Sequence, residues 1–182
     1  MKHAGYLLNT SEGLTGEAGL FYDYIFAGNG LFVRTQNTLL KTAICISPIQ
    51  IRGLLPLEEE IEFTHGKIPQ ALYNLAVSLF IAGSDREHYL AVTWENQYHL
   101  KIPPQDRYSG SVRYERLPST ILDIHSHGVM ESFFSGTDNA DEQGLCLYMV
   151  VGRLDTLLPE VEKRLGVYGY FAPVTLAEIF NV

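Results

Sequence analysis

The sequence predicts an α/β (α+β) architecture: a mixed β-sheet flanked by helices, with a β-rich N-terminal extension. Three observations predict it. One long apolar stripe recurs at helical spacing over 69–82, short runs of β-branched and aromatic residues follow it, and a helix-start signal at Ser135 interrupts those runs. Residues 1–62 read as a separate accessory segment and 63–182 as the main domain.

In the accessory segment, the runs 20–26, 31–35, 39–47 and 49–54 read as strands. Turn signals at Gly28-Asn29-Gly30 and Gln36-Asn37 separate some of them, and Ser47-Pro48 marks a further break. Gly-Asn-Gly predicts a hairpin. Gly13, Gly16 and Gly19 lack the following Lys-Ser/Thr of a phosphate-binding loop and read as a flexible lead-in. Glu58-Glu59-Glu60 reads as a solvated acidic face.

The main domain opens with the helix Pro69 to Ala82. Ile68, Leu72, Leu75, Ala76, Leu79 and Phe80 form its core stripe, Pro69 suits its first turn and Gly83 its end. Strands are expected at 89–94, 98–102, 111–117 and 120–126, with Pro103-Pro104 as a break. A second helix starts near Ser135 and stops by Gly144. Strands at 145–152, 160–167 and 168–174 and a short helix over 175–180 complete the chain.

Composition narrows the function. A 46% hydrophobic, 19% charged chain of 182 residues is ordinary for a globular protein. The net charge of −8 argues against a nucleic-acid partner, which calls for a basic stripe, and against an anionic membrane. Cys45 and Cys146 read as buried free thiols, since no Cys-x-x-Cys is present. Neither a signal peptide nor an uncharged apolar run of membrane-spanning length is visible, so a cytoplasmic setting is expected.

The chemistry concentrates in 121–142. His125 and His127 stand one residue apart at the end of an apolar run, and on a strand both imidazoles share a face. Seven residues separate His127 from Ser135, and two more separate Ser135 from Asp138. Two neutral nitrogens, one carboxylate and an open position suit a catalytic zinc. Each half also has a plainer reading. His-x-His strands occur without metal, and Ser-x-x-Asp is a capping-box-like helix start.

The full string resembles the signature of the JAMM family (MPN+, Mov34/MPN/PAD-1) of zinc-dependent peptidases and isopeptidases. Many members carry Pro after the second His, where this chain has Gly128. The resemblance covers residues 65–182 and implies a JAMM-like sheet with Zn2+ held by His125, His127 and Asp138. It further implies Glu87 as general base, because the family places a Glu just ahead of the strand that follows the first long helix. Ser135 would then stabilise the oxyanion. A protein or peptide substrate, such as a ubiquitin-like tail, is implied as well.

The segment His-Ser-His-Gly-x-Met-x-x-Phe-Phe-Ser-x-Thr-Asp, with Gly-Val-Tyr-Gly-Tyr-Phe downstream, looks prokaryotic. It is similar, more faintly, to the A component of the PRTRC mobile-element systems. Residues 1–62 then read as a module for substrate selection or for pairing into a homo-oligomer.

Other readings stay in view. Glu95, at the far end of the strand from Glu87, is roughly 26 Å away, so only one of them serves the site. Glu131 completes half of a cupin motif, but no histidine follows His127. A barrel amidohydrolase needs roughly 250 residues. A DNA-repair-associated branch shares the histidine signature but gains nothing from the acidic charge. The remaining alternative is a non-catalytic MPN-type scaffold.

Overall fold

The computed structural model describes residues 2–108 and 111–181. The chain divides into two compact units, Met1–Gly66 and Lys67–Val182. The protein is mostly β, with 48% strand against 13% helix distributed over multiple sheets. This corrects the expected α/β (α+β), helix-flanked JAMM-like architecture. The physical reason lies in helix length. Among the described residues the helices are α1 (Gln70–Ala82), α2 (Gly136–Asp141) and α3 (Leu176–Ile179), and the last two span six and four residues. Helices that short cannot cover a sheet face.

The first unit is a six-stranded sheet. Its strands are β1 (Ala4–Thr10), β2 (Gly13–Glu17), β3 (Tyr22–Ala27), β4 (Gly30–Gln36), β5 (Leu40–Pro48) and β6 (Glu60–Phe63), in the order β2-β1-β3-β4-β5-β6. The sequence-based boundary at 62/63 falls inside β6. Alternation works as period two requires: Asp23, Ile25 and Ala27 are buried, while Tyr22, Tyr24 and Phe26 lie on the other face. Leu7, Ile25, Ala27 and Phe32 form one cluster, with Cys45 and Leu57 against it.

Two expectations for this unit need correction. The glycine-rich lead-in is ordered, because β2 pairs antiparallel with β1 from Tyr6–Glu17 to Thr10–Gly13. The run 49–54 forms no strand. The Ile51 N–H donates to the Gly28 carbonyl, and the residues just after the run are pinned by side chains: the Asn9 amide donates to the carbonyls of Leu55 and Pro56, and Asn29 Oδ1 accepts from the Leu57 N–H.

The second unit is organised around β12 (Thr120–Ser126), all seven of whose residues are buried. Its apolar run reads as a central strand because both faces are covered. The sheet order is β15-β14-β13-β12-β8-β9, with β8 at Tyr89–Trp94, β9 at Tyr98–Lys101, β13 at Leu145–Gly152, β14 at Glu160–Val167 and β15 at Tyr170–Pro173. β12 runs parallel to β13 and antiparallel to β8.

Two smaller sheets join β10 (Gln105–Arg107) to β11 (Val112–Tyr114), and β7 (Ile68–Pro69) to β16 (Phe180–Asn181). In α1 the expected stripe is narrower than the sequence implied. Ala76 and Phe80 are buried, but Leu75 is exposed. No helix among the described residues is long and apolar enough to cross a membrane.

Candidate metal centre

The C-terminal end of β12 delivers both histidines. Asp123 and His125 share one face of the strand, and the same alternation carries His127 onto it at the strand's end. Register does the rest. His125 pairs with Tyr89 of β8, and the Ser126 N–H donates to the His88 carbonyl, so Glu87 is carried alongside His127. The Ser126 hydroxyl, pointing away from the site, accepts from the His88 N–H and reinforces that edge.

Asp138 arrives on α2. The Ser135 side chain caps the helix by accepting from the Asp138 N–H at 3.2 Å, and Asp138 Oδ2 accepts from the Ser135 N–H at 2.6 Å. The capping box is therefore real, and it occupies only one carboxylate oxygen. The other, Oδ1, lies 3.6 Å from His125 Nε2. That separation is too long for a hydrogen bond. It matches the roughly 3.4 Å between two donors bound at tetrahedral angles to one zinc.

One donor atom each from His125, His127 and Asp138 lies within 4.8 Å of the others. The chemistry of the set fits a metal. His125 Nε2 is buried with no hydrogen-bond partner, an arrangement that costs free energy unless something occupies its lone pair. Burial depresses the His125 pKa, so the ring is neutral and its lone pair available; the Asp138 carboxylate opposes that shift. His127 Nδ1 lies 3.1 Å from the Glu131 carbonyl oxygen, which only a protonated nitrogen can satisfy, and this leaves Nε2 as the ligand atom.

Two glycines make that second contact possible. Gly128 has φ +58°, a left-handed conformation that proline cannot adopt. Gly152 packs so closely on the loop 130–132 that an added Cβ would meet the Met130 carbonyl oxygen at 2.4 Å and the Ser132 nitrogen at 2.5 Å. Gly152→Ala must therefore displace the Glu131 carbonyl from His127. We expect metal affinity to fall by about 10–100-fold, measured by competition with a chelating dye. Unchanged affinity would show that the carbonyl does not orient the ring.

A cavity of about 400 Å³ is lined by Glu87, His125, His127, Phe133, Ser135 and Asp138 among others, so all five residues singled out in the sequence meet around one space. Glu87 is buried, and burial followed by the nearby Asp138 charge pushes its carboxyl up to about 7. Glu95 is absent from this lining and pairs instead with Lys101. Glu131 contributes its carbonyl, while its carboxylate pairs with Arg153. Phe133 packs edge-on against the His127 ring, with centroids 4.7 Å apart.

Sequence reasoning missed three contributors. Asp123 lies two residues before His125 on the same face, and period two was signal enough to find it. Its Oδ2 accepts from the Tyr89 hydroxyl at 3.1 Å and the Tyr114 hydroxyl at 3.4 Å. Arg164 and Glu142 form a buried ion pair that no local pattern announces. No family model matches this chain, and no curated protein matches it in sequence.

Proposed function

We propose that this protein is a metal-dependent amide hydrolase, a zinc peptidase or isopeptidase acting on a protein or peptide substrate. The observation that carries the reading is the unpartnered, buried His125 Nε2 facing Asp138 Oδ1, with the Glu87 carboxyl in the same cavity. The signature spacing of His125, His127, Ser135 and Asp138 supports the same reading.

Zinc in such a site acts as a Lewis acid and makes water a nucleophile near neutral pH. His125, His127 and Asp138 would hold it. Glu87, with a carboxyl near 7, is matched to accept a proton from water and return it to the leaving nitrogen. The Ser135 oxygen already accepts from the Asp138 N–H, so its own proton is free to point at a developing oxyanion. Phe133 and Met130 supply a partly exposed apolar wall to the cavity. A flexible tail of a ubiquitin-like protein is the substrate class that the motif favours. The free thiols Cys45 and Cys146 accord with a reducing cytoplasm.

Elemental analysis of the purified protein tests this. We expect about one zinc per chain, loss of amide cleavage on chelation, and recovery on adding zinc back. Protein that takes up no zinc and cleaves no peptide or ubiquitin-like fusion would replace the enzyme with an interaction scaffold.

A further inference from the structure

α2 carries the proposed ligand Asp138, yet it contributes no buried side chain to the core. The helix spans six residues, none of them buried. A helix of that length is not stable on its own. Its position must come from contacts outside itself, and the structure supplies one set.

Arg164 projects from β14, two strands away from the histidines. Cross-strand pairing puts Asp123, Tyr148 and Arg164 in one row, so Arg164 emerges on the face that bears His125. Its guanidinium is sandwiched between Phe134 and Phe171, 3.7 and 3.8 Å from the ring centroids. Held there, it reaches α2 at two points. Nη1 donates to Asn139 Oδ1 at 2.7 Å, Nε donates to Glu142 Oε2 at 2.8 Å, and Nη2 lies 2.6 Å from the same oxygen. Asn139 is the residue after Asp138, and Glu142 is the helix C-cap, whose N–H donates to the Asp138 carbonyl.

We infer that Arg164 is a positioning residue for the metal ligand Asp138: the clamped guanidinium sets the helix, and the helix sets the carboxylate against His125. This rests on the hydrolase reading above. Phe134 and Phe171 fix the guanidinium plane, so a flexible cation of the same charge does not replace it. The direction of the effect is specific. The hydrogen bonds of Arg164 run to Asn139 and Glu142, so its effect on ligand geometry passes through Asp138, while its charge bears on His125 directly and is kept in Arg164→Lys.

Zinc titration of the full chain against a chelating dye, with a denaturation curve for each metal-free variant, tests it. Arg164→Met retains apolar contact with the two phenyl rings, and we expect it to weaken zinc binding by about 10–100-fold. Arg164→Lys should not restore affinity. In an Asp138→Ala background the same Arg164→Met change should alter affinity by less than about twofold. Should Arg164→Met fail to fold, Asn139→Ala and Glu142→Gln carry the same comparison with and without Asp138.

Equal losses in both backgrounds would make Arg164 a generic structural residue and overturn the inference. So would wild-type affinity in Arg164→Met. If wild-type protein takes up no zinc, the hydrolase reading itself fails. If it does, and Arg164 is indifferent, only the positioning role falls.

Discussion

Glu87→Gln is expected to lower amide hydrolysis by about 10²–10⁴-fold while leaving zinc near one per chain. The substitution keeps the side chain's size and removes only its capacity to accept and return a proton. Glu87 is not among the three side chains whose donor atoms converge, so metal occupancy should survive. Its environment makes the role specific. The carboxyl is buried and faces Asp138, and both effects hold it near 7 rather than in the ordinary carboxylate range. Glutamine carries no charge to bury, so the metal-free variant should be no less stable than the parent. The measurement is kcat beside zinc stoichiometry on one preparation. Turnover equal to wild type would remove Glu87 from the chemistry, and loss of zinc together with turnover would make it a ligand instead.

The second large effect concerns stability and pH in the metal-free protein. Burial raises Asp123 to about 7, against the opposing pull of Arg116 and the two tyrosine hydroxyls. Glu142 is raised to about 7 by burial, against Arg164, and Glu87 is raised likewise. A carboxyl raised on folding binds its proton more tightly in the folded state. Its contribution is fully present below the unfolded pKa near 4 and is lost as pH rises through about 7.

Metal-free protein should therefore lose stability between pH 5 and pH 8, with Asp123 alone accounting for roughly 2–3 kcal/mol, most of it by pH 7, while the buried neutral His125 opposes the slope below its ordinary titration range. Asp123→Asn should remove its share of that slope and leave those of Glu142 and Glu87, as read from denaturant unfolding at several pH values. A parent protein equally stable at pH 5 and pH 8 would refute the expectation.

What the sequence discloses differs between the two. Asp123, His125 and His127 share a face by alternation alone, a property of any strand. The short runs around them are legible as strands because β-branched and aromatic residues fill them. The overall layering is not legible. The sequence bounds the helix starting at Ser135 by Gly144, and it does end at Glu142, but helix bounds do not say whether so short a helix covers a sheet face.

The same limit hides the clamp. Arg164 and Asn139 are 25 residues apart, and only the pairing of β12, β13 and β14 brings them together. Residues 49–54 mislead for a related reason. Their apolar pattern fits a strand, but the Ile51 N–H donates to the Gly28 carbonyl and the residues that follow are held by the side chains of Asn9 and Asn29 rather than by a ladder.

The three convergent donors lie on one contiguous stretch, 125–138, whereas Glu87 reaches them only when β8 zips against β12. Bringing the three donors together closes a short loop and bringing Glu87 to them a much longer one, so most of the chain entropy lost in assembling this cavity is lost at the Glu87 contact.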